Sequence, residues 1–153
     1  MTHKTLRQAI TGSLLLCCLT LAAQERGYWR AASSTARSIT GDVSLSDQKI
    51  SISFTGFTMA HIRSLEKAEI SALFDADNNA EGAGSLYRLN VPASKKFLNK
   101  NSLCGGEDTQ WMVTYVSGRS LHLAFFSSPQ APTLTLEAIP NSTDLCGTFA
   151  YVK

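Results

Sequence analysis

The chain has 153 residues, and its beginning has the pattern of an export signal, so the sequence predicts one folded domain of about 130 residues. Loss of Lys4 and Arg7 with that signal reduces the 14 basic residues to a number equal to the 12 acidic ones. A neutral domain lacks the basic footprint of a nucleic-acid-binding protein, and this length excludes a multidomain enzyme.

The first 23 residues follow the order of a secretory signal. A charged start precedes an apolar stretch over residues 9–21, and the small residues Ala22 and Ala23 follow it. This order predicts a removable signal peptide over residues 1–23 and a mature domain over residues 24–153. A buried N-terminal helix is the alternative. If the chain is bacterial, we expect the mature protein to be periplasmic or secreted, with no stable membrane span after processing.

The four cysteines fall into two pairs. Cys17 and Cys18 lie in the predicted signal, so Cys104 and Cys146 remain in the mature domain. In an oxidising compartment, two lone cysteines of a small domain predict a disulfide. Its loop would stabilise the fold by about 4 kcal/mol in the chain-entropy model. A lipid anchor at the first pair and a catalytic or metal-binding role of the second are the alternatives.

Short runs of alternating apolar and polar residues predict an all-β fold. The clearest run covers residues 49–57 and places Ile50, Ile52 and Phe54 on one face. Residues 24–36 are a lead-in segment or a first strand. Further strands are predicted at residues 37–45, 59–64, 70–74, 85–91, 110–117, 120–126, 133–138 and 147–152. The pattern indicates a small antiparallel β-barrel or sandwich of about eight strands with one disulfide.

Turn-forming residues connect these strands. Residues 46–48 predict a tight turn, and Gly118 supplies the positive backbone angle of a hairpin between two later strands. Residues 62–73 also carry apolar side chains at helical spacing, so a short helix there is the alternative to a strand. Residues 75–84 and 95–101 are predicted to be polar loops.

Asp75, Asp77 and Asn79 at alternate positions resemble the opening of a calcium-binding loop. The match ends there, because Ala80 replaces the glycine of the sharp bend and Leu86 replaces the bidentate carboxylate. A solvent-exposed loop is therefore the preferred interpretation. The sequence predicts no metal site and no other cofactor.

His61 and His122 are the two histidines of the predicted mature chain, and an imidazole is a suitable general base. They lie in separate predicted strands, and the alternation of His122 with Leu121 places it on the outer face. A small hydrolase that pairs either histidine with Glu66 or Asp75 is the enzymatic alternative. We nevertheless predict no catalytic residue.

Several motifs resemble those of small exported bacterial proteins without an assigned activity. These motifs are Ser38-Ile39-Thr40-Gly41-Asp42, Leu86-Tyr87-Arg88, Leu103-Cys104-Gly105, Leu121-His122-Leu123-Ala124-Phe125 and Leu145-Cys146-Gly147-Thr148-Phe149. The resemblance covers residues 29–151 and implies an envelope protein with the two cysteines as its signature. In size, export and strand content, the chain is also similar to small periplasmic barrels that inhibit lysozymes or proteases.

Together these features favour a monomer that works by binding. Loops at one end would contact a protein or an envelope polymer through a few aromatic anchors. The candidate anchors are Tyr28, Trp29, Tyr87 and Trp111. Most of them are expected in the core instead, because Trp111 alternates with Val113 and Tyr115 in a predicted strand. The basic cluster of Lys95, Lys96 and Lys100 is interpreted as a solvated loop, and the alternative is a positively charged patch suited to a protein partner rather than nucleic acid. A barrel that encloses a small apolar ligand is the second binding alternative.

Overall fold

The alternating runs form eight strands that close into an antiparallel barrel. The structure, a computed structural model, describes residues 24–153. Each strand pairs with its neighbours along the chain, and the last strand pairs with the first. The strands are β1 Gly27–Ala31, β2 Val43–Leu45, β3 Lys49–Ile52, β4 Thr55–Ser64, β5 Ala83–Val91, β6 Thr109–Ser117, β7 Ser120–Phe126 and β8 Leu145–Val152. The predicted all-β class is confirmed, and the barrel is the correct alternative.

Consecutive strands run antiparallel, so the connections alternate between the two ends of the barrel. One end, which we call the terminus end, carries residues 24–26, 46–48, 65–82, 118–119 and 153. The other, which we call the disulfide end, carries residues 32–42, 53–54, 92–108 and 127–144. The predicted turn at residues 46–48 and the hairpin at Gly118 are both confirmed, and Gly118 has a φ of 56°.

Two helices pack on the barrel, one at the disulfide end, where Ala36 joins the interior core, and one against the outer face through Leu73. Helix α1 covers Ser34–Ile39 and begins where the Ser33 hydroxyl accepts a hydrogen bond from the Ala36 N–H at 3.1 Å. Helix α2 covers Lys67–Phe74. The strand predicted over residues 70–74 is therefore wrong, and the run at residues 37–45 divides into the end of α1 and strand β2.

A further predicted strand, over residues 133–138, is also absent from the described chain. This segment belongs to the long connection between β7 and β8 and leads into a 3-10 turn at Ile139–Asn141. Leu134 is buried against the outside of the barrel rather than placed in a strand pair. The strand-like spacing of apolar residues in this segment therefore accompanies the packing of Leu134 alone, without strand pairing.

Large apolar side chains fill the barrel. Trp29, Phe125, Phe149 and Tyr151 are fully buried there, and the Phe125 and Phe149 rings meet edge to face at 5.3 Å. Each such side chain contributes roughly 1.5–3 kcal/mol on burial. A second apolar cluster lies outside the barrel beneath α2 and the β7–β8 connection. Its buried members are Leu73, Leu86, Trp111, Val113, Ala124, Phe126 and Leu134.

The predicted disulfide joins Cys104 to Cys146, whose Cα atoms are 4.8 Å apart. It ties the connection between β5 and β6 to the start of β8, across 42 positions of sequence. Within residues 24–153, no helix has the length and apolarity to cross a bilayer. The predicted signal peptide lies outside the described residues.

Candidate functional site

The turn between β3 and β4 carries the most exposed large apolar side chain of the described chain. Ile52 pairs with Thr55, so Ser53 and Phe54 alone form the turn, and the Phe54 side chain is 108 % exposed. The prediction that Phe54 shares a buried face with Ile50 and Ile52 is therefore wrong. The alternation ends at Ile52 because the chain reverses immediately after it.

Both turn residues have left-handed backbone angles. The φ of Ser53 is 47° and that of Phe54 is 66°. A two-residue hairpin turn with both φ values positive is type I′, which Asn-Gly and Gly-Gly sequences favour. An L-residue with a side chain costs about 1–2 kcal/mol in this conformation. The Ser53 hydroxyl donates to the Thr40 carbonyl at 3.0 Å and holds the turn in place.

Phe54 borders a cleft of about 360 Å³ at the disulfide end, together with Tyr28 and Leu98. We call these three side chains the Phe54 surface. Tyr28 is 61 % exposed, and its hydroxyl donates to the Asp42 carboxylate, which also accepts from the Ala31 N–H at 2.8 Å. The hydrogen bond to Tyr28 lowers the pKa of the Asp42 carboxyl and raises the pKa of the Tyr28 phenol.

The opposite wall of the cleft is also held in a left-handed conformation. Asn99 and Lys100, which follow Leu98, have φ values of 53° and 60°. The Asn99 amide donates to the Ser38 carbonyl at 3.0 Å. Leu98 Cδ1 lies 3.0 Å from the position that a Cβ atom on Gly41 would occupy, so glycine permits this close packing. Unfavourable backbone angles of this kind concentrate at functional sites.

Three basic residues belong to the segments that line this cleft: Arg30 lies in β1, Lys49 begins β3, and Lys100 follows Leu98 and Asn99. Arg30 is close enough to Asp42 to help lower the pKa of that carboxyl. Lys49 extends along Gly56 behind the turn. The ion pairs of the described chain, Arg26–Asp47 and Arg63–Glu69, involve none of the three, and Arg30 acts on Asp42 at longer range.

The predicted basic cluster divides into two parts. The Lys95 ammonium lies 5.9 Å from the centre of the buried Phe97 ring, and that ring meets Phe57 edge to face at 6.0 Å. Lys96 and Lys100 are exposed. Only the latter two are therefore available to a partner as free positive charges.

Of the four aromatic residues predicted as anchors, Tyr28 alone is exposed. Trp29 lies inside the barrel, and its indole N–H donates to the Glu25 carbonyl at 2.8 Å. Tyr87 is buried, and Trp111 is buried outside the barrel beneath the Arg88 guanidinium. Phe54 and Leu98 are not among the predicted anchors.

The two histidines line different clefts. His61, on β4, lies edge-on to Tyr87 with ring centres 5.4 Å apart. His122, on β7, stacks on Tyr115 at 5.8 Å outside the barrel, and its burial lowers the pKa of the imidazole. The predicted outward orientation of His122 is confirmed. Asp75 lines the cleft of His122.

The segment that resembles a calcium loop forms hydrogen bonds within itself. The Asp77 carboxylate accepts from the Asn79 N–H at 2.8 Å, and Asp75 ends α2 with a φ of 54°. Among residues 24–153, no group of three or more His, Cys, Asp or Glu side chains has an arrangement that would hold a metal ion.

The described chain is therefore a small antiparallel β-barrel with one disulfide and an exposed aromatic turn. Compared with protein-family models, with curated proteins and with solved structures, the chain has no significant match.

Proposed function

We propose that the protein is an exported binding module that docks a partner protein through the Phe54 surface, in the manner of a small inhibitor. The single observation that carries this proposal is the exposure of Phe54 on a turn with unfavourable backbone angles, beside the exposed Tyr28 and Leu98. Export is supported by the disulfide, since such bonds persist in oxidising compartments.

The energetics favour a partner for Phe54. Burial of a phenylalanine side chain contributes roughly 1.5–3 kcal/mol, and Phe54 gains none of this within its own chain. Its left-handed conformation is a cost to the folded chain that no burial of Phe54 within the described residues offsets. A rigid aromatic anchor loses little conformational entropy on docking, which is the usual property of an interface hot spot.

The shape and charge of the Phe54 surface favour one kind of binding site on the partner protein. Phe54 projects from the turn, so it fits a concave apolar pocket in a folded protein. Lys49 and Lys100 belong to neighbouring segments and form none of the ion pairs of the described chain, and Arg30 interacts with Asp42 at longer range, so acidic side chains at the rim of that pocket would be complementary. The barrel interior is filled by the protein's own side chains, which disfavours the enclosed apolar ligand.

The test begins with a photo-reactive phenylalanine analogue at position 54 in the native envelope. Its crosslink identifies the partner, and the dissociation constant is then measured with purified proteins. We expect Phe54→Ala to weaken binding by roughly 30-fold or more, as truncation of a hot-spot residue does. Leu136→Ala is the matched control, because Leu136 is 72 % exposed and lies outside the Phe54 surface.

Ionic strength provides a second measurement on the same pair. The association rate is expected to fall as salt is added, since screening weakens attraction between the basic rim and an acidic partner. Equal affinities of Phe54→Ala and Leu136→Ala would exclude the Phe54 surface as the docking site. A salt-independent association rate would exclude the acidic rim.

A further inference from the structure

A carboxylate is buried inside the barrel at its terminus end. Glu25 is 6 % exposed; its Oε1 accepts from the Thr114 hydroxyl at 2.6 Å and its Oε2 from the Tyr87 hydroxyl at 2.7 Å. Both donors are neutral, and no basic side chain among residues 24–153 forms an ion pair with Glu25. Buried carboxylates normally have a cationic partner, because removal of the charge from water is costly.

Within residues 24–153, one edge of strand β4 has no strand partner beside this carboxylate. Strand β4 pairs with β3 over residues 55–58 and with β5 over residues 59–64, so its second half has a strand neighbour on one side only. Every residue from Ala60 to Ser64 is exposed, and the pairing shifts register between His61 and Arg63.

A cleft of about 420 Å³ lies beside the second half of β4, and we call it the Glu25 cleft. Its side chains with polar atoms are Glu25, His61, Ser64, Lys67, Ser85 and Tyr87. Mouths of β-barrels are frequent binding sites, and clefts of this size hold small molecules. Tyr87 and His61 provide aromatic surface beside the carboxylate.

We propose that the Glu25 cleft binds the ammonium group of a small organic amine, with Glu25 as the counter-ion. An ammonium group supplies the missing positive charge, donates hydrogen bonds to carboxylate oxygens and is attracted to aromatic faces. A metal ion would need several oxygen ligands, whereas the cleft offers one carboxylate. The nearby Lys153 ammonium already donates to the carbonyls of Gln24 and Arg26, at 3.1 and 2.8 Å.

The test is an NMR titration of the exported protein with two amines and their neutral counterparts. Putrescine is compared with 1,4-butanediol, and glucosamine with N-acetylglucosamine. We expect the amines alone to shift the resonances of Tyr87 and His61. Equal shifts from the neutral compounds, or no shift from either amine up to its solubility limit, would overturn the proposal.

Two variants make the test specific. Glu25→Gln keeps the shape of the side chain without its charge and should weaken amine binding by roughly tenfold or more. Lys67→Ala removes a competing ammonium from the mouth of the cleft and should strengthen binding several-fold. If Glu25→Gln does not fold, the Lys67→Ala variant and the comparison of amines with neutral compounds still decide the question.

The processed N-terminus is an internal competitor that the titration must remove. Cleavage after Ala23 would leave an α-ammonium group one residue from Glu25. The titrations are therefore made on protein whose Gln24 has cyclised to pyroglutamate, which carries no positive charge there. Unchanged affinity in Glu25→Gln under this condition would also overturn the proposal.

Discussion

Ser53 and Phe54 adopt backbone angles that glycine adopts at lower cost. We therefore expect Phe54→Gly to raise the free energy of unfolding by about 1 kcal/mol, although it removes a large apolar side chain. The reason is that Phe54 buries nothing in the folded chain, so only the backbone term changes. Urea unfolding of the purified variant measures this change.

Phe97 is the matched control because it is the same residue type at the same end of the barrel, but buried. Phe97→Ala should lower the free energy of unfolding by about 3–5 kcal/mol, since it leaves a cavity. A decrease in stability for Phe54→Gly would show that the turn conformation is not the source of the cost.

The position of Phe54 has a signal in the sequence that the strand prediction did not use. Ile50 and Ile52 occupy even positions, whereas Phe57 and Met59 occupy odd ones. A change of parity within an alternating run indicates a chain reversal, and the structure pairs Ile50 with Phe57 across it. By contrast, nothing local reveals that Leu98 packs on Gly41, because that contact joins distant connections.

At the scale of elements, α2 depends on Glu69. The Glu69 carboxylate accepts from the Glu66 N–H at 2.9 Å at the start of the helix, and from the Arg63 guanidinium at 2.7 and 2.8 Å. Glu69→Ala should lower the free energy of unfolding by about 1–2 kcal/mol. The ion pair contributes the smaller part of this change, because the Arg63 side chain is 44 % exposed. Glu81→Ala, at an exposed position, should change it by less than about 0.5 kcal/mol.

The pH dependence of the Glu69 effect has a defined sign. Arg63 lowers the pKa of the Glu69 carboxyl, so this contribution is present above the ordinary pKa of a glutamate and is lost as pH falls through the lowered value. The difference between wild type and Glu69→Ala should therefore shrink in acid. A constant difference across that range would indicate that Glu69 acts through packing alone.

Helix α2 illustrates where sequence patterns are insufficient. Ile70, Ala72 and Phe74 alternate as in a strand, whereas Ile70 and Leu73 have helical spacing. The choice depends on the apolar outer face of β5, β6 and β7, which α2 covers. The same face buries Leu134 and produces a strand-like pattern in an irregular segment. The strands themselves were predictable, since most alternate regularly between the barrel interior and its outer surface.

At the scale of the whole molecule, the disulfide restricts the unfolded chain. The double variant Cys104→Ser and Cys146→Ser should lower the free energy of unfolding by about 4 kcal/mol in the chain-entropy model. Urea unfolding with and without reductant measures the change. A variant as stable as the oxidised wild type would show that the packing of the disulfide end already fixes this part of the barrel.

Two buried tyrosines predict alkaline unfolding of the barrel. Burial raises the pKa of Tyr87 and of Tyr151, whose hydroxyl lies 2.7 Å from that of Thr40. The folded state therefore keeps both protons above pH 10, where the unfolded chain releases them, so stability falls by about 1.4 kcal/mol per pH unit for each group. Absorbance at the phenolate band should show these two tyrosines ionising only together with unfolding. Ionisation of both in the folded barrel would contradict this.

The contacts of Lys153 bring the end of β8 next to the residues that precede β1, so the strands could be encoded in a different order. Lys153 binds the carbonyls of Gln24 and Arg26 and lies 4.2 Å from the centre of the Trp29 ring, and β8 pairs with β1 beside it. A short linker from residue 153 to residue 24 would therefore join neighbouring points of a closed ring. Circular permutants that open the chain in the polar loop at residues 76–81 should keep every strand pair, which makes the barrel independent of where its chain begins.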